Sequence, residues 1–92
     1  MNTTPARLRA EIVEIEDTAA FYREQLAAAT GRQQDASIAL ARTTDPETRA
    51  RLIEQRAASE AVSRGMRDAF DACMRRLDEA RAKLADAFRE VA

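Results

Sequence analysis

The sequence predicts an all-α fold: a long antiparallel helical hairpin of coiled-coil type that completes a four-helix bundle by dimerisation. Three observations carry this. Apolar and small residues recur at alternating steps of four and three through most of the chain, the spacing of a coiled-coil seam. A cap followed by proline, the signal for a helix start, occurs twice, at Thr4-Pro5 and at Asp45-Pro46. Only about three residues separate the two patterns, and so short a connection forces the helices to lie antiparallel. The chain, 1–92, therefore reads as one hairpin domain with a first helix over about 5–42, a turn at 43–45 and a second helix over about 46–91.

The first helix starts at Pro5, where the missing N–H of proline costs no hydrogen bond and Thr4 can cap the first turn. Its seam runs Leu8, Ile12, Ile15, Ala19, Tyr22, Leu26, Ala29, Gln33, Ala36 and Leu40. Gly31 interrupts ATGR in the manner of a C-cap. The seam nevertheless keeps its phase from Leu26 to Leu40, and an intervening turn would not preserve it, so the reading is a continuous helix with a weak point costing about 1 kcal/mol relative to alanine.

In the second helix the seam runs Leu52, Arg56, Ser59, Ser63, Met66, Phe70, Cys73, Leu77, Ala80, Leu84, Ala87 and Val91. Its last two-thirds is apolar and its first third is not. Asp45, Pro46 and Glu47 supply an aspartate cap, a proline first residue and an acid near the positive helix end.

Folding the pattern about residues 43–45 predicts that facing residues have numbers summing to about 88 or 89. Ile12 then faces Leu77, Ile15 faces Cys73, Ala19 faces Phe70, Tyr22 faces Met66 and Gln33 faces Arg56. The same register lays Glu11, Glu14, Glu16 and Asp17 beside Arg75 and Arg76, and Glu24 beside Arg64. It also leaves Ala87, Phe88 and Val91 projecting past the end of the first helix.

Composition narrows the function. Ninety-two residues make a domain near the size at which thin folds need a partner. Hydrophobic residues make up 46% of the chain, but alanine supplies about half of them, so large core side chains are few. The 15 basic and 16 acidic residues nearly cancel, which opposes polyanion binding by bulk charge. All the bases but Lys83 are arginine, a choice suited to planar ion pairing and equally one that a GC-rich genome would produce without it.

Enzyme chemistry finds no foothold. Histidine is absent, and the single cysteine, Cys73, has no imidazole to activate it and sits on the seam as a small apolar residue. The acids Glu11, Glu14, Glu16 and Asp17 read as a solvated or arginine-paired face, since carboxylate di-metal bundles draw on Glu-x-x-His pairs. Gly31 and Gly65 stand alone, so no glycine-rich phosphate loop exists. No catalytic residue, metal, cofactor or small-molecule substrate is expected. The sequence shows neither an apolar signal-peptide core nor a span of about 18 apolar residues. A cytoplasmic location is expected, and export without a cleaved signal is compatible with the same features.

The expected activity is therefore non-enzymatic: a scaffold, adaptor or small structural subunit that forms a homodimer or pairs with a helical protein partner. Its interface is expected at apolar residues off the seam, Ile53, Met74, Phe88 and Phe21, and at Val91 in the C-terminal overhang. Gln33 and Arg56 form a polar layer that can fix register. A second reading is a small dimeric RNA- or DNA-binding bundle contacting anions through Arg42, Arg49 and Arg51 at the hairpin tip; in outline it resembles the plasmid-copy-control hairpins, by architecture alone. A third is a secretion-system hairpin. In size and shape the chain is similar to the WXG100 family, but it has no tryptophan and carries TTDPET where that family has Trp-x-Gly.

Overall fold

The computed structural model describes residues 4–91, with side chains as far as Glu90. It consists of α1, Pro5–Arg42, and α2, Pro46–Val91, joined by residues 43–45. Both helix starts are capped by the residue before the proline. Thr4 Oγ1 accepts from the Arg7 amide at 3.2 Å, and Asp45 Oδ2 accepts from the Thr48 amide at 3.0 Å and from the Thr48 hydroxyl at 2.6 Å. Thr43 is extended, at φ −110 and ψ 141, which stops α1 without a left-handed residue. α1 runs unbroken through Gly31, and neither glycine has positive φ.

The two helices bury one stripe each. On α1 it comprises Leu8, Ile15, Ala19, Ala29, Ala36 and Leu40; on α2 it comprises Ser59, Ser63, Cys73, Leu77 and Ala80. All eleven are positions of the seams read from the sequence. A continuous cluster is built from Ile15, Ala19, Cys73, Leu77 and Ala80, with Ile12, Tyr22, Phe70 and Met74 packed against it.

That cluster corrects the register. Ile12, Ile15, Ala19 and Tyr22 match Ala80, Leu77, Cys73 and Phe70 one to one when facing numbers sum to about 92, so that a positions of one helix meet d positions of the other. At 88 or 89, Tyr22 would face Met66 instead, outside the cluster. The contacts beside the seam agree. In an a-to-d register the flanking e positions meet at sums about five higher, near 97. Arg9 lies over the Phe88 ring at 5.1 Å, and Arg81 pairs with Glu16 at 3.7 Å, both at that sum. The helix-to-helix ion pair recorded among the described residues is thus Glu16–Arg81 rather than the expected pairing with Arg75 and Arg76.

The shift has a simple cause. The expected register centred the fold on the loop, whereas the extended Thr43 carries the chain beyond the end of α1 before α2 begins. At a sum of about 92, the first turn of α2 overhangs the tip, and the two excess lengths of the longer helix are shared between its ends. The overhang of α2 past the start of α1 is thereby shortened, and the Arg9 guanidinium reaches the Phe88 ring.

The result is a rod of 69 × 15 × 14 Å with a radius of gyration of 20.3 Å, against about 12 Å for a compact chain of this length. Its accessible surface is 6846 Å², where a compact monomer of the same mass exposes about 5,300 Å². A hairpin this thin buries less of its surface than a compact domain of the same size does. Among the described residues no helix is long and apolar enough to cross a membrane.

Candidate interaction surfaces

Three regions hold the residues singled out by the sequence: the polar section of the seam, one long flank and the tip. The polar section lies between the apolar cluster and the turn. Gln33 and Arg56 are both half-buried there, but the Gln33 amide donates to Glu60 Oε1 at 3.4 Å. The corrected register turns Gln33 toward Ser59 and leaves Arg56 opposite Ala36, so the expected Gln33–Arg56 layer becomes a staggered set. Beside it, Ala29 is wholly buried and Ser63 is 5% exposed, a small-on-small layer that lets the helices approach closely. The Ser63 hydroxyl has no hydrogen-bond partner there. Such an orphan costs about 1–3 kcal/mol when it stays unsatisfied.

Gln33, Glu60, Ser63, Arg64 and Arg67 also border a shallow, open depression of about 180 Å³. That is below the roughly 300–1,000 Å³ of small-molecule pockets. Mixed charges and an open rim suit it to water or to a side chain of another helix. Among the described residues no group of three or more His, Cys, Asp or Glu is placed to hold a metal ion, and Cys73 is buried and free.

The flank is set by helical period. Ile53, Met74 and Phe88 are separated by 21 and 14 residues, whole heptads, so all three occupy the e position of α2. Ile53 and Phe88 are 46% and 47% exposed, and Met74 is half-buried against the cluster. Arginines of α1 cover part of this side. The Arg9 guanidinium stacks on Phe88, and Arg23 lies 5.5 Å from the Phe70 ring. Planar guanidinium over an aromatic face is a favourable contact worth roughly 0.5–1 kcal/mol at exposed sites. The sequence had carried its signal in the spacing of Arg9 and Arg23 by two heptads, legible only once the register is known.

Phe21 belongs elsewhere. It precedes Arg23 by two residues, which puts it about 160° around α1 from that flank, 54% exposed and with its ring 5.8 Å from that of Tyr22. Of the expected interface residues, Ile53, Met74 and Phe88 thus align on one flank, and Phe21 lies on another face. Val91 is the last residue of α2, and its side chain lies outside the described residues.

At the tip, Arg49 has a structural duty. Its Nη1 donates to the Leu40 carbonyl at 2.7 Å and to the Thr43 carbonyl at 3.0 Å. These groups close the C-terminal end of α1, where carbonyls lack intrahelical partners and a cation complements the dipole. Arg42 and Arg51 are exposed. Asp45 is held below the usual aspartate range by the hydrogen bonds from the Thr48 hydroxyl and amide, with Arg51 adding a smaller attraction. The tip is thus tied down by its own polar groups. No family model, curated protein or solved structure matches the chain.

Proposed function

We propose that the chain is a non-enzymatic interaction protein: a helical hairpin that assembles with itself or with a helical partner, as a scaffold, adaptor or small structural subunit. The observation that carries this reading is the exposed surface. The rod exposes 6846 Å², about 1,500 Å² more than a compact monomer of its mass, and half-exposed Ile53 and Phe88 lie along one flank. That excess is of the order of the area buried in a standard protein–protein interface, about 1,600 Å² in total. Helical hairpins reach a full core by adding two more helices, as four-helix bundles do.

The alternative of RNA or DNA binding at the tip draws less from the geometry, because the Arg49 guanidinium already serves the carbonyls of α1. Sedimentation velocity at micromolar concentration tests the self-assembly form of the reading. A species of twice the 10.2 kDa chain mass or more is expected. A stable monomer that also retains no helical partner from its native source would remove the proposal.

A further inference from the structure

We propose that the occupant of the Ile53–Phe88 flank is a second copy of this chain, laid antiparallel along α2 about a two-fold axis at Asp71. The inference rests on the self-association reading above and specifies its geometry. Between Ile53 and Phe88 the e positions and the residues four beyond them form a second seam on α2, again at steps of four and three. Reversed about Asp71, this seam is its own complement.

At the ends of the flank the match is apolar. Ile53 meets Phe88 of the second copy, and Ala57 meets Ala85. Inside these, the match is ionic: Glu60 meets Arg81, and Arg64 meets Asp78. Nearest the axis, the aliphatic stem of Arg67 lies on Met74. Each pair occurs twice, because the two-fold axis repeats it. The one like-charge contact is Asp71 with its own copy, and Arg67 of the other chain sits one turn away from it.

Exposure permits the contact. Every one of these residues is exposed except Glu60 and Met74, which are half-buried. Arg81 is held only loosely, with its Glu16 partner at 3.7 Å and both side chains about half exposed. A guanidinium has five donors in a fork, so Arg81 can keep Glu16 while donating to a second carboxylate from its other edge. From Ile53 to Phe88 the flank is about 52 Å long, at 1.5 Å per residue. A contact of that length and one helix in width accounts for an area of the order a stable dimer buries. A parallel arrangement in register would set Glu60 on Glu60 and Arg67 on Arg67, so the charge order selects the antiparallel one.

Sedimentation equilibrium of Glu60→Arg, Arg81→Glu and their equimolar mixture tests the pairing, with far-UV circular dichroism confirming that each remains helical. The wild type is expected to dimerise. Each single substitution sets like charges together twice per dimer and is expected to raise the dissociation constant at least about tenfold. In the mixture, every arginine at these positions again faces a glutamate, and a mixed dimer of near wild-type affinity is expected. Helical single variants that dimerise like the wild type, or a mixture that recovers nothing, would overturn this geometry while leaving self-association standing. A wild-type chain that stays monomeric would overturn both.

If either variant loses its helix, Ala57→Cys combined with Ala85→Cys decides the matter. Those positions lie about 42 Å apart in one chain, so they can only be joined between chains. Mild oxidation is expected to give a covalent dimer. A yield no higher than that of either single cysteine substitution would overturn the inference.

Discussion

The half of the hairpin near the chain termini and the half near the turn use one seam with different materials. Toward the termini, Ile12, Ile15, Tyr22, Phe70 and Leu77 build a continuous apolar cluster around the smaller Ala19, Cys73 and Ala80. Toward the turn, the same seam holds Ala29, Gln33, Ala36, Arg56, Ser59 and Ser63, with Leu40 and Leu52 closing the tip. Both halves keep the four-and-three step, so periodicity alone fixes which faces meet. Side-chain size then decides what each half tolerates. The first half depends on volume that is present, and the second on volume that is absent.

That contrast can be broken from either side. The largest effect is expected at Leu77, 3% exposed in the middle of the cluster. Leu77→Ala should cost about 3 kcal/mol by urea unfolding, from lost burial plus the cavity left behind. Leu52→Ala, half-buried at the other end, should cost clearly less; equal losses would erase the distinction between the halves.

The reverse change should hurt most in the turn half. Ala29 is wholly buried in the register layer of Ser63, so Ala29→Leu is expected to destabilise by about 2 kcal/mol through overpacking. A neutral result there would mean that the helices part freely at this layer. Gly31 carries a smaller effect of opposite sign. A Cβ built on it meets nothing within 4 Å, and the residue is helical, so Gly31→Ala should stabilise by roughly 0.5–1 kcal/mol, read as a higher Tm.

The smallest expected effect sits at the tip and depends on pH. The Asp45 carboxyl is held below its ordinary range in the folded state, chiefly by Thr48, so its contribution is present above the usual aspartate pKa and is lost as pH falls through the folded value. The Tm advantage of the wild type over Asp45→Asn should therefore shrink on acidification below about pH 4. An advantage that stays constant from neutral pH to about pH 2 would assign the cap no carboxylate character.

Much of this architecture is legible in the residues. Thr4-Pro5 and Asp45-Pro46 mark the helix starts because caps and proline act locally, within one turn. The seam is legible because burial follows period, and its unbroken phase across Gly31 outweighs the local preference of glycine. The register is not legible from the loop length alone. Which seam layer of α2 faces Ile15 depends on how far the extended Thr43 carries the chain, and that is a backbone angle rather than a pattern. A shift of one seam step separates Gln33 from Arg56, pairs Glu16 with Arg81 and sets the Arg9 guanidinium over Phe88.

The candidate surfaces divide in the same way. Ile53, Met74 and Phe88 align because they share a heptad position, which counting alone supplies. Phe21 lies on the other helix, and its helical angle sets it on a different face. Arg49 read as a free cation at the tip because nothing in TTDPETRAR announces that its guanidinium turns back onto the Leu40 and Thr43 carbonyls. A contact between an arginine and the end of the preceding helix requires the turn to be seen closed.

As proposed above, this hairpin is part of a larger helical assembly, with stability that depends on association. Thermal unfolding of the unmodified chain across about a hundredfold range of protein concentration tests it most directly. Because association stabilises only the folded state, a Tm that rises steadily with concentration is expected. A Tm independent of concentration, in a chain that unfolds reversibly as a monomer, would contradict it.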